Sequence, residues 1–385
     1  MTASSSPGRG MTLAMAAATG LAVASIYYNQ PMLGVMERAM PSSLTALVPM
    51  TTQLGYALGL FALVPLGDLL ERRQLIVWQF VLLAAALAMT ALAPGAGIVL
   101  LGSLLIGAAA TVAQQIVPFA AHLAPPERRG AVVGVVMSGL LCGILLSRTL
   151  AGFVADHAGW REMFWLGVPL SLGAGAVMRL LLPYSRPDTQ HSYASLMASL
   201  VHLWREFPAL RLAAFTQALL FGTFSVFWSI LALHLQEPRF NLSAEAAGLF
   251  GIVGAVGILA APLAGRFADR HGPHRAILAG TILTLLSWVL FGTWLSLGGL
   301  VVGCILLDFA VQSALVSHQH IVYALRPEAR SRLNTLFMGV MFLGGATGAA
   351  GASAAWVIGG WSAVALFDGL MAAGALALQV ISARS

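Results

Sequence analysis

Lysine is absent from this chain: all 20 basic residues are Arg. Charge of either sign is scarce, at 9% of 385 residues, against about a quarter in an average globular protein. Arg does not deprotonate in proteins, so any proton carried by a side chain must ride on Asp, Glu, His or another titratable group. Cysteine is nearly absent too. Cys142 and Cys304 both fall inside apolar stretches, where a thiol packs as a small hydrophobe, and two lone thiols make neither a disulfide framework nor a metal site. The chain also lacks a phosphate-binding Gly-Lys-Ser/Thr loop, a Ser-centred nucleophile motif and a His/Asp cluster at metal spacing. These absences argue against an ATP-driven pump and against a membrane enzyme. No catalytic, cofactor-binding or metal-ligating residue is expected.

What is abundant is apolar surface. Hydrophobic residues make up 59% of the sequence, and the mean hydropathy is +0.86. Apolar runs of 20 or more residues recur, each long enough for a bilayer core about 30 Å thick. The pattern predicts twelve spans near 11–36, 44–66, 74–93, 97–121, 130–155, 161–182, 208–236, 244–267, 275–295, 298–323, 332–355 and 361–382. They are expected to be helices, because a lone segment in lipid must satisfy its own backbone hydrogen bonds. The first stretch, Met11 to Met36, is too long for the apolar core of a cleaved leader.

The net charge of +6 would suggest nucleic acid in a soluble chain. Here the sorting of Arg explains it. With both ends cytoplasmic, the inner loops and ends hold sixteen Arg and the outer loops only Arg38, Arg161 and Arg239, with Arg148 left inside a span. That bias predicts a multi-pass membrane protein with cytoplasmic termini. Residues 184–207 are the longest polar interruption. Tyr193, Leu196, Leu200, Leu203, Trp204 and Phe207 recur there at helical spacing, so an amphipathic helix on the cytoplasmic membrane surface is expected.

A short signature occurs twice, each time in a break between apolar stretches. The first copy is Pro65-Leu66-Gly67-Asp68-Leu69-Leu70-Glu71-Arg72-Arg73, and the second runs from Gly265 through Asp269 and Arg270 to Arg275. Asp68 and Asp269 are 201 residues apart, and Pro126-Glu127-Arg128-Arg129 matches Pro327-Glu328-Ala329-Arg330 at the same offset. Ser25-Ile26-Tyr27-Tyr28 matches Ser225-Val226-Phe227-Trp228 at 200. The expected fold is therefore an all-α integral membrane protein of twelve transmembrane helices in two pseudo-symmetric six-helix halves. Residues 1–183 form the first half, 184–207 the linker and 208–385 the second half. Matching halves in a membrane chain usually build a transporter around a site between them.

On these residues the chain resembles the major facilitator superfamily over nearly its whole length, and within it the bacterial twelve-span drug:proton antiporter group. Tyr27-Tyr28-Asn29-Gln30-Pro31, Gly159-Trp160-Arg161, Leu307-Asp308 with Gln312, and Ala329-Arg330-Ser331-Arg332-Leu333-Asn334 are similar to one subgroup of it. The resemblance implies a secondary transporter, working by alternating access, that exports small organic compounds and draws its energy from a proton gradient. It is expected to act as a monomer in a lipid bilayer on a small-molecule substrate. A proton-coupled importer of a sugar or other small nutrient, or a non-transporting receptor on the same scaffold, stays open. The resemblance also implies that spans 1, 4, 7 and 10 line the cavity. Its candidate lining residues are Tyr27, Tyr28, Asn29, Gln30, Gln114, Gln115, Trp228 and Gln312. Asp368 falls in span 12, which in that family usually faces lipid.

Two intramembrane charges stand out. Arg148 lies in span 5 roughly 12 Å from its outer end, and Asp308 lies in span 10 roughly 15 Å from its own. Charges at such depth are functional by default. They can pair directly or bracket a cavity, and Asp308 is the candidate proton carrier, with His318 and His320 behind it. Asp68 and Asp269, at the C-terminal ends of spans 2 and 8, face the negative ends of their own helix dipoles and need positive partners. With Arg72, Arg73, Arg270 and Arg275 they form a candidate cytoplasmic latch; the resemblance implies that Asp68 faces the start of span 11 and Asp269 the start of span 5.

Overall fold

A computed structural model describes residues 8–187, 192–255, 263, 266–267 and 270–382. Among the described residues every regular element is helical. The apolar crossings are α1 (Arg9–Ala39), α2 (Thr45–Asp68), α3 (Arg72–Ala91), α4 (Ala96–Leu123), α5 (Pro126–His157), α6 (Trp160–Leu181), α7 (Pro208–Leu235), α9 (Pro273–Thr293) and α10 (Leu297–Leu325). Between α7 and α9 lies the shorter apolar helix α8 (Ala244–Gly254); most of the remainder of expected span 8, and Asp269 beyond it, lie outside the described residues. The last apolar run, Pro327–Ser382, is two helices. It breaks at Gly359 and at Gly360, whose φ of 57° and ψ of −147° suit a residue with no Cβ. The run doubles back there, so that Gly351 on α11 (327–358) packs against the Phe367 ring on α12 (361–382).

The two halves repeat one another in their packing. In the first, Gly20 of α1 meets the backbone of α5 at Gly139 and Gly143. In the second, Gly222 of α7 meets α11 at Gly344 and Gly348. Small residues let helix backbones approach closely where lipid supplies no hydrophobic drive. The halves meet along α5–α8 and α2–α11. Gly152 lies against the Ala244 carbonyl, Gly248 and Gly251 lie against α5 at Arg148, and Gly339 lies under the Phe61 ring.

One end of the bundle carries most of the Arg, the other very little. At the Arg-rich end the surface helix Tyr193–Glu206 spans the linker. Its apolar stripe is buried against protein: Leu200 and Leu203 share a cluster with Leu210 of α7, Val322 of α10 and Leu333 and Phe337 of α11. Glu206 pairs with Arg326 just past the end of α10, and Tyr193 donates to the Ala62 carbonyl of α2 at 3.2 Å. The helix thus reaches both halves.

Candidate functional site

Pro31 shapes the start of the site. It has no N–H, and its ring clashes with the carbonyl four residues back, at Tyr27. α1 accordingly passes through a 3-10 turn at Ser25–Tyr27 before resuming at Asn29. The break brings Tyr27, Asn29 and Gln30, all under 5% exposed, into the bundle centre. Asn29 donates to the Thr52 hydroxyl at 2.9 Å.

Arg148 of α5 enters the same space. Its Nε donates to Gln30 Oε1 at 2.9 Å. Its guanidinium lies over the Trp228 ring at 4.0 Å, the Tyr27 ring at 4.5 Å and the Phe224 ring at 5.8 Å. A desolvated cation over an aromatic face gains about 2 kcal/mol. Arg148 Nη2 has no partner.

Asp308 of α10 comes to the edge of the same ring. Gly254 of α8 leaves room for both: a Cβ there would stand 2.8 Å from Trp228 Cζ2 and 3.3 Å from Asp308 Oδ1. The Cys304 thiol, one turn earlier, donates to the carboxylate at 3.5 Å from Oδ2. Among the described residues the ion pairs involve neither Arg148 nor Asp308, so the two charges lie beside Trp228 without closing on one another. On the same stretches of α1 and α7, Trp228 Nε1, Ser225 Oγ, Ser229 Oγ and Asn29 Oδ1 are buried and, among the described residues, without hydrogen-bond partners. Buried polar groups are ordinarily hydrogen-bonded, and a cluster that is not marks a place built for something else to bind.

The other candidates divide. Gln114 donates to the Tyr56 hydroxyl at 3.1 Å, and Tyr56 stacks on Phe342 across the halves at 4.2 Å. Gln312 is half-buried one turn beyond Asp308 towards the Arg-rich end. Gln115 instead donates to the Leu63 and Val64 carbonyls and joins α4 to the end of α2. Tyr28 turns away towards α6, edge-on to Phe164 at 6.4 Å. His318 is buried against Gln217, 3.0 Å from its Oε1, and His320 is exposed.

At the Arg-rich end Asp68 is half-buried. Arg72 donates to the Gly67 carbonyl and Arg73 to the Leu182 carbonyl, both at 3.4 Å. Glu71 caps α3, accepting from Gln74 N at 2.7 Å, and takes Ser185 N at 2.9 Å. These contacts tie the loop to the chain beyond α6, inside the first half. Arg270 and Arg275 are exposed.

The polar contacts between the halves concentrate at the Arg-poor end. Asp156 of α5 accepts from Ala244 N at 3.3 Å and Glu245 N at 2.6 Å, so a carboxylate of one half caps a helix of the other. Thr149 donates to the Gly248 carbonyl at 3.1 Å, Ser353 to the Ala46 carbonyl at 2.8 Å, and Arg38 to Gln236 Oε1. Here Gly34, Glu37, Arg38, Gln236, Glu237 and Trp356 border a cavity of about 410 Å³. Burial pushes the Glu237 carboxyl up and Arg239 draws it back. Sequence reasoning passed over Asp156. Its signal was present in Ser243-Ala244-Glu245, a helix start facing the end of span 5.

The sequence profile of the Major Facilitator Superfamily matches residues 13–263 and 212–383. The chain belongs to the Major Facilitator Superfamily. It is 42% identical over 357 residues to the uncharacterized transporter YgaY of Escherichia coli O157:H7, covering 91% of this chain and 90% of the relative. A probable transporter of Streptomyces coelicolor is 33% identical over 92% of this chain and 83% of its own. The multidrug resistance protein MdtG of Salmonella choleraesuis is 29% identical over 54% of this chain and 48% of its own. Among solved structures, the fold matches a bacterial homologue of the human lysosomal transporter Spinster with a TM-score of 0.76 at 14% identity, covering 99% and 96% of the two chains. It matches the nucleoside transporter NupG with 0.77 at 14%, covering 96% and 98%. This superfamily member is thus a multi-pass membrane transporter, and not an enzyme.

Proposed function

We propose that the chain is a proton-coupled antiporter that exports small organic compounds from the bacterial cytoplasm, with both termini cytoplasmic. The observation that carries this reading is the arrangement at Trp228. A buried cation and a buried anion lie beside one aromatic ring, unpaired with each other, with polar atoms on the same helix turns that lack hydrogen-bond partners among the described residues. Such a set of groups suits a flat amphipathic molecule, its ring against Trp228 and its polar ends towards Arg148 and Asp308. A substrate and a proton that compete for Asp308 give exchange without further machinery. The multidrug relative supports export, and the sixteen-to-three Arg bias supports the orientation. The Arg-poor end, outside in this reading, is the one joined by Asp156, Thr149, Ser353 and Arg38. The conformation described is then the one closed to the outside.

The test is flux in vesicles that carry the full chain and an imposed pH gradient, screened with aromatic organic cations, neutral aromatics, sugars and nucleosides. The expected result is uphill movement of an aromatic compound against the proton flow, abolished by a protonophore. Uphill movement of a sugar or nucleoside along the proton flow would replace export with import. Flux indifferent to the gradient would remove the proton.

A further inference from the structure

Asp368 was set aside in the sequence because its helix usually faces lipid. α12 does show lipid a face, with Leu366 and Leu370 about two-thirds exposed. Asp368 is on the opposite face and is 0% exposed. That buried face also carries Trp361, Ala365, Ala372, Ala375 and Gln379. Its other polar groups are matched: Trp361 Nε1 donates to the Phe291 carbonyl at 2.9 Å, and Gln379 Nε2 to the Thr216 hydroxyl at 2.8 Å. Among the described residues neither oxygen of Asp368 has a hydrogen-bond partner. It joins no helices, so it is not glue, and an apolar residue would pack there at less cost.

The internal repeat shows what lies opposite. On α6 of the first half, Gly167 sits against Leu87 at 3.1 Å and Tyr28 at 3.4 Å, taken from where its Cβ would be. Adding the offset of 201 turns Gly167 into Asp368 and Leu87 into Trp288, and the offset of 200 found for the first span turns Tyr28 into Trp228. Trp288 Nε1 is buried and, among the described residues, without a hydrogen-bond partner. The register therefore sets one bare carboxylate opposite one idle donor, at the level of Trp228. A carboxylate in apolar surroundings with no donor and no cation must hold a proton, and it can release that proton when donors reach it.

We propose that Asp368 is a second proton-binding site of this transporter, filled in the present conformation and emptied in the other as Trp288 closes on it. The inference adds to the antiport reading a second exchanging proton beside that of Asp308. The charged and titratable groups facing α12 are few. α7 brings His234, which stacks on Trp361 at 4.0 Å. α10 buries Cys304, Asp308 and His318, with Asp308 at the Trp228 ring edge and His318 at Gln217, and α11 buries no Asp, Glu, His, Cys or Tyr. The buried face of α9 brings Thr281, Thr284, Ser287 and Trp288, none of which titrates in the relevant range.

Infrared difference spectroscopy across a pH step, on the reconstituted full chain, reads carboxyl protonation directly. Wild type should show two protonated-carboxyl bands that disappear on alkalisation. Asp368→Asn should lose one of them and Asp308→Asn the other, while Asp368→Glu should keep a displaced band. A spectrum unchanged in Asp368→Asn overturns the proposal and leaves the Asp308 reading standing. A spectrum unchanged in Asp308→Asn overturns that reading and leaves this one. As a second readout, dicyclohexylcarbodiimide attacks protonated carboxyls in apolar sites. It should add its mass to the α12 peptide in wild type and in Asp308→Asn alike, so it serves even if Asp368→Asn is poorly folded; no addition at any pH overturns the proposal.

Discussion

Arg148 in the first half and Asp308 in the second are both buried within the bundle, and they are housed in opposite ways. Arg148 is gripped: Gln30 takes its Nε, and Trp228, Tyr27 and Phe224 surround its plane. Asp308 has a single weak donor, the Cys304 thiol. A guanidinium so held has one position and one charge. A carboxylate held by one thiol can take a proton, a ligand or a new partner at little cost. The contrast teaches a division of labour in which the cation is the fixed post and the anion the moving part.

The surest way to break this contrast is to remove the post. Arg148→Ala should lower gradient-driven flux in vesicles by about a hundredfold, the equivalent of the ~3 kcal/mol held in one desolvated cation–π contact and one charged hydrogen bond. Arg148→Lys should fare almost as badly, because an ammonium has no plane to lay on Trp228 and Tyr27; flux near wild type in Arg148→Lys would show that charge alone matters. Removing the moving part is the next test. Asp308→Asn should abolish uphill accumulation yet keep substrate exchange within about threefold of wild type, measured with no pH gradient. Retained uphill accumulation would hand the proton to another group. Trp228→Leu strips one wall from both charges and should raise the half-saturating substrate concentration about tenfold, near the worth of one buried cation–π contact. The smallest effect belongs to Cys304→Ala. A thiol donor is weak, so flux should stay within about twofold, and a larger loss would mean that Asp308 is more firmly held than its one contact suggests.

Much of the architecture was legible in the sequence because lipid enforces it. Apolar runs must be helices, and the repeat at an offset near 200 announced two matching halves. The turn between α11 and α12 was legible as the gap at 356–360. Arg148 and Asp308 were conspicuous as lone charges among Leu and Ile. Other features were not legible, because polarity says nothing of direction. Gln114 and Gln115 are neighbours of equal polarity; helical twist aims one at Tyr56 and the other at the end of α2. Tyr27 and Tyr28 part in the same way, and Asp368 was hidden by the same ambiguity between two faces of one helix. The cap that Asp156 places on α8 joins residues 88 apart or more; the local pattern at Ser243-Ala244-Glu245 marks the helix start but does not name the carboxylate that reaches it.

The sharp bend at Gly359–Gly360 leaves the final two rods with no slack between them. Whatever drags one must drag the other, so a rocking of the second half cannot be absorbed in a floppy tether there. Spectroscopic rulers anchored separately on each rod should report the same excursion at the same moment.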